Sequence, residues 1–128
     1  MVGSRNLAVG CDLEWVESRE DYLILDYFTA EEISISTQCQ ESEKDLVVNL
    51  IWSAKETTLK ILREGLRRDT RSVVVLPDLG GDKNEWHAWT ARCLESSRHF
   101  YGWWRTSDGY VYTLASDQPT SPPKQLFL

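Results

Sequence analysis

Apolar and polar positions along the 128 residues follow two rhythms, which change over near residue 65. The opening run Leu7-Ala8-Val9 gives way to Gly10-Cys11-Asp12-Leu13-Glu14. This predicts a strand over residues 6–13, buried at its start and polar where it ends. Residues 21–28 predict a short helix with Tyr22, Leu25 and Phe28 on one side. Thr29-Ala30-Glu31-Glu32 has the form of a capping box, with Thr29 as N-cap and Glu32 three residues on. A second helix should therefore begin there and end near Gln38. Ser42-Glu43-Lys44-Asp45 is an acidic start for a longer helix reaching about Glu64, with Gly65 as its left-handed stop. Val47, Leu50, Ile51, Ala54, Thr58, Ile61 and Leu62 recur at helical spacing and form its buried face. Trp52, Glu56 and Lys60 fall beside that stripe, towards a rim.

Beyond residue 65 the period shortens. Residues 72–76 read as a strand stopped by Pro77, and residues 78–84, with Gly80-Gly81 inside, as a loop. Residues 86–94 and 99–105 predict strands, Ser107-Asp108-Gly109 a turn, and residues 110–114 a last strand. Pro119, Pro122 and Pro123 mark an irregular tail over 117–128, possible as a linker. One strand, three helices and then antiparallel strands make an α+β domain. A single domain over residues 1–128 is expected, without internal repeats.

Composition adds little to this picture: 41% of residues are apolar and 27% charged, ordinary for a chain able to bury a core. Six Trp are many for this length, and rings of that size gain most from leaving water, so core or interface is expected for them. No apolar run approaches the roughly 18 residues needed to span a bilayer, and no signal-peptide pattern opens the chain. Cys11, Cys39 and Cys93 lack metal-ligand or disulfide-framework spacing. A reduced, cytoplasmic setting follows, with no membrane partner. A net charge of −6 argues against nucleic acid, although Lys55, Lys60, Arg63, Arg67, Arg68 and Arg71 make one local basic stretch.

The candidate chemistry lies in the first half. Positions 52, 56 and 60 are four apart and form one helical stripe. Positions 12 and 14 project from one face of a strand, roughly 7 Å apart. Packing strand against helix would bring three carboxylates and an ammonium to one small volume, suited to a magnesium ion and a phosphate. Singly, each motif is weak, because Asp-x-Glu at a strand end and a Glu-Lys pair at i,i+4 are common structural features. Cys11 lies on the face opposite the carboxylates, where packing explains it better than nucleophilic catalysis, and His87 and His99 are assigned to structure.

Gly10-Cys11-Asp12-Leu13-Glu14, then Phe28-Thr29 with Glu32 or its neighbour Glu31, then Trp52-Ser53-x-Lys55-Glu56-x-x-x-Lys60 with Gly65 following, resembles the 4′-phosphopantetheinyl transferase superfamily. The Trp-Ser-x-Lys-Glu form is more similar to the larger, surfactin-synthetase-activating type than to the small fatty-acid-synthase type. The resemblance implies a 4′-phosphopantetheinyl transferase-like fold (β-α3-β3) and transfer of the phosphopantetheine arm of coenzyme A to a serine of an acyl or peptidyl carrier protein, releasing 3′,5′-ADP. It implies Asp12, Glu14 and Glu56 as magnesium ligands and Lys60 on the attacked phosphate. Glu56, directly or through a water on the metal, would also take the serine proton. Lys60, Lys55 and Trp52 are the candidates for contact with coenzyme A, although Trp52 fits core as well, and Lys55 points about 100° away from Glu56, to solvent or a partner. Arg63, Arg67 and Arg68 would meet the carrier protein or nucleotide, or stand as solvated helix-end charges.

The chain corresponds to the back half of the larger type, whose front half supplies phosphate-binding basic residues without counterpart here. A homo-oligomer (a trimer, as in the small type) or a domain of a larger synthase is therefore expected. Thr57-Thr58 also departs from the small or apolar residues usual after the Glu. Two further readings stay open. One is a non-catalytic carrier-protein or nucleotide-binding module, and the other is an interaction domain docking through its Trp-rich sheet.

Overall fold

The computed structural model describes residues 9–62 and 69–123. The first strand, β1 (Val9–Trp15), leads to α1 (Asp21–Tyr27), α2 (Ala30–Gln38) and α3 (Lys44–Leu62). Four strands follow: β2 (Val73–Pro77), β3 (His87–Cys93), β4 (His99–Ser107) and β5 (Tyr110–Ser116). All five strands form one antiparallel sheet in the order β1-β5-β4-β3-β2, so the first strand of the chain lies beside the last. The α+β architecture is the expected one, with one strand more after the helices than the shorthand β-α3-β3 counts. Residues 117–123 carry no helix or strand. Gly65, Glu64, Arg63, Arg67 and Arg68, and the parts of the expected first strand and tail at 6–8 and 124–128, lie outside the described residues.

Local chemistry explains the element ends. Thr29 Oγ1 accepts the Glu32 amide at 3.3 Å while Glu32 Oε1 accepts the Thr29 amide at 2.8 Å, closing the capping box that starts α2. Asp108 and Gly109 take φ of 54° and 83°, the mirror-image conformation that joins β4 to β5 without splaying them. Strand ends shift by a residue or two from the expected ones; Ser72 belongs to a one-turn 3-10 helix and Pro77 closes β2.

The central element is α3, laid across one face of the sheet, with α2 packed against both α3 and β2. Val47, Leu50, Ile51, Ala54, Thr58 and Ile61 are buried as expected, Leu62 only partly, and Asn49, Ser53, Lys55 and Thr57 are buried as well. What stays partly open is the stripe Trp52, Glu56 and Lys60. Trp89, Phe100 and Trp104 fill the sheet side of the core. Two expectations fail here. In α1 the packed side is Ile24 and Phe28, four apart, while Tyr22 and Leu25 are more than 60% exposed on another side of the helix. Cys11 does face away from the carboxylates, but among the described residues that face of β1 is the exposed one, so packing does not account for Cys11.

Candidate active site

β1 and α3 touch where the sequence has glycine. A Cβ on Gly10 would come within 2.9 Å of Ile61 Cγ1 and 3.0 Å of the Thr57 carbonyl oxygen, so only a residue without one permits this approach. Two residues on, Asp12 meets the helix directly. Its Oδ1 accepts from Lys60 Nζ at 3.0 Å, and its Oδ2 accepts from Ser53 Oγ at 2.9 Å. Lys60 Nζ also donates to the Cys11 carbonyl at 3.1 Å. This bonding to Asp12 raises the Lys60 pKa, against a smaller opposing effect of burial.

Glu14 stands on the same side of β1. Burial, then a hydrogen bond and negative charge from Asp12, and more weakly the charge of Glu56, push its carboxyl up to about 7, against the pull of Arg19. Glu56 is raised too, first by burial and then by Asp12, with Lys60 opposing. Asp12, Glu14, Glu56 and Lys60 thus share one electrostatic neighbourhood. Among the described residues, no three His, Cys, Asp or Glu side chains stand close enough together to hold a metal ion by themselves. The donor set is nonetheless all carboxylate oxygen, the kind a hard divalent cation takes when phosphates and waters complete its shell.

Beside this cluster opens a cavity of about 790 Å³ between α1, α3 and residues 69–71. Its walls include Ile24, Phe28, Val48 and Leu59, and Trp52 packs edge-on against Tyr27 with ring centroids 5.4 Å apart. Trp52 is therefore a half-buried wall of the cavity and not solely core. Glu56 and Lys60 lie on the lining at one place, Asp69, Thr70 and Arg71 at another.

Lys55 is not at this site. It is fully buried, 2.8 Å from Glu32, and donates to the carbonyls of Thr70 at 2.7 Å and Val73 at 2.5 Å. The solvent, partner and coenzyme A roles expected for it are thereby corrected: three acceptors hold its ammonium in the interior, and desolvation lowers its pKa while raising that of Glu32. Of the two acidic candidates in that block, Glu32 is the buried one, also accepting the Val75 amide at 2.7 Å, whereas Glu31 pairs with Arg92 at 3.6 Å on the surface.

Sequence reasoning missed Arg19. It lines the cavity, donates to Asn49 Oδ1 at 2.8 Å and lies 3.3 Å from Glu14 Oε1. The buried Asn49 holds the Arg19 loop by donating to the Glu17 carbonyl at 2.6 Å and the Asp45 carbonyl at 2.7 Å. A lone Arg between strand and helix carries no periodic or motif signal. An Asn inside an otherwise apolar helical face was the available hint. Arg71 stood in the basic stretch, but nothing in the sequence separated it from its neighbours.

The sequence model of the 4′-phosphopantetheinyl transferase superfamily matches residues 8–115. The crystal structure of Thermotoga maritima holo-[acyl-carrier-protein] synthase is similar, with a TM-score of 0.57 at 17% identity over 85% of this chain. The match spans 61% of the length of that protein. None of the curated proteins matches in sequence. No helix among the described residues is long and apolar enough to cross a membrane.

Proposed function

Because the chain belongs to the 4′-phosphopantetheinyl transferase superfamily, we propose that it moves the phosphopantetheine arm of coenzyme A onto a serine of an acyl or peptidyl carrier protein, releasing 3′,5′-ADP, in the cytoplasm and with Mg²⁺. The observation that carries this reading is the meeting of Asp12 and Glu14 from β1 with Glu56 and Lys60 from α3. Asp12, Glu14 and Glu56 are the residues that would hold the metal. Burial first and the charge of neighbouring carboxylates second raise Glu14 and Glu56, and that second part is an excess of negative charge that a divalent cation relieves. When bound, that cation supplies charge neutralisation to the pyrophosphate oxygens.

The chain's own residues have the remaining roles. The carrier serine Oγ attacks the phosphorus bearing the pantetheine, forming one P–O bond. The bond from that phosphorus to the bridging oxygen breaks, and 3′,5′-ADP leaves with the electron pair. Glu56, made more basic by burial and by Asp12, accepts the serine proton. Lys60, fixed by Asp12, places a positive charge against the phosphate oxygens as charge builds on them. The cavity beside Glu56 and Lys60 accommodates part of coenzyme A, with Trp52 as a wall and Arg19 and Arg71 as cations on its lining. A second copy of the chain, as in a trimer, or a neighbouring domain of a larger synthase completes the pocket.

Incubation of an apo carrier protein with coenzyme A, Mg²⁺ and this chain, read by mass spectrometry, tests the proposal. The carrier gains the mass of phosphopantetheine, and the gain disappears with EDTA and in Asp12→Ala. A carrier that binds the chain without gaining mass would make the protein a binding module and end the catalytic reading.

A further inference from the structure

Ser53, Thr57 and Thr113 form a line of hydroxyls running into the candidate metal-binding carboxylate, and no role in the transfer has yet been given to them. Ser53 and Thr57 come from α3 and Thr113 from β5, where it sits opposite Asp12 in the β1–β5 pairing. Thr57 Oγ1 lies 2.7 Å from Thr113 Oγ1, which lies 2.7 Å from Ser53 Oγ, which donates to Asp12 Oδ2 at 2.9 Å. All three hydroxyls are at most 1% exposed, so water does not compete for them.

The direction of the line follows from counting protons, since a hydroxyl has one to give. Ser53 gives its own to Asp12, so the contact with Thr113 exists only if Thr113 donates to Ser53. Thr113 is then left as acceptor towards Thr57, and Thr57 must donate to it. Three donations point the same way and end on Oδ2, while Lys60 holds Oδ1 at 3.0 Å. A carboxylate offers about four lone-pair positions. Pinning one on each oxygen fixes the plane of Asp12, and lone-pair positions remain for a cation. The line also gives a physical reason for threonine at position 57, where a small or apolar residue was expected: the hydroxyl of Thr57 completes the polar row, while that of Thr58 turns back to the Ala54 carbonyl at 2.9 Å.

We propose that Ser53, Thr113 and Thr57 are positioning residues that orient Asp12 for the metal, with Ser53 as the contact and the two threonines acting through it. The proposal rests on the transferase reading. Such outer partners of metal ligands are each worth about 10–100-fold in metal affinity or activity.

The test measures Mg²⁺ binding by calorimetry, transfer by mass spectrometry and folding by circular dichroism on the full chain. The variants are Ser53→Ala, Thr113→Val, Thr113→Ser, Thr57→Val and the double Ser53→Ala/Thr113→Val. We expect Ser53→Ala and Thr113→Val to stay folded and to bind Mg²⁺ about 10–100-fold more weakly, with Thr113→Ser restoring affinity. Thr57→Val, at the far end, should weaken it least. Because Thr113 acts only through Ser53, the double variant should bind no worse than Ser53→Ala alone. Independent packing defects would instead multiply. Unchanged Mg²⁺ affinity in folded Ser53→Ala and Thr113→Val overturns the positioning role, as do multiplying losses; either outcome leaves the transferase reading intact. If Thr113→Val does not fold, Ser53→Ala and Thr57→Val decide. A wild-type chain that neither binds Mg²⁺ nor transfers refutes the transferase reading, and this proposal falls with it.

Discussion

Glu14 occupies a place where a carboxylate is hard to keep ionised, half-shielded from water and beside Asp12, with Arg19 drawing it the other way. Its pKa near 7 in the fold lies above its value of 4.5 elsewhere. The folded chain thus binds more protons than the unfolded one, and stability is lost as pH rises from about 4.5 through about 7. In metal-free buffer, the melting temperature of the wild type should fall relative to that of Glu14→Gln between pH 5 and pH 8. A difference that is the same at both pH values would contradict this. Glu56→Gln should reduce transfer by about 100-fold or more, as loss of a general base does, with the circular dichroism spectrum unchanged. At this scale the sequence was legible where residues sit in a spaced motif, as for Asp12, Glu56 and Lys60. Lys55 was misread because helical phase gives the direction of a side chain but not what covers it. Here α2 and the carbonyls of Thr70 and Val73 close over it.

At the scale of elements, two contacts position the site. The first is β1 against α3 at Gly10. Gly10→Ala must displace a backbone carbonyl and Ile61, so a loss of about 1–3 kcal/mol in urea unfolding is expected. Transfer activity should fall as well, since Asp12 and Lys60 face each other across that contact. The second is the buried Lys55–Glu32 pair, which ties α3 to α2 and, through the Val75 amide, to β2. Removing one partner strands a charge in the interior, so Lys55→Met should cost about 3–5 kcal/mol, while Glu32→Gln/Lys55→Met should recover much of that loss. Chemical denaturation of both variants checks the difference, and equal losses would contradict it. The capping box at Thr29 and the Asp108-Gly109 turn were legible because each depends on a few neighbouring residues. The packed side of α1 was not. Seven residues give less than two full turns of periodicity, and both Leu25 and Ile24 offer plausible apolar faces.

For the molecule as a whole, the first and last strands pair, so the metal-binding candidates of β1 and the hydroxyl of Thr113 from β5 meet on one side of α3. If coenzyme A and Mg²⁺ bind only this folded arrangement, together they should raise the melting temperature, by the equivalent of about 2.7 kcal/mol at a hundredfold excess over the dissociation constant. EDTA should abolish the metal-dependent part of that shift, and a melting temperature indifferent to both ligands would contradict the expectation. The sequence by itself determined the order of strand and helices, the stripe of Trp52, Glu56 and Lys60, and the Asp-x-Glu beside it, because periodicity and short-range spacing fix which side chains share a face. Only the tertiary structure decided that Lys55 is interior, that Arg19 joins the cavity and that Thr113 bonds to Ser53. Each of those outcomes depends on contact between segments distant along the chain, and burial by a distant segment leaves no period in the sequence.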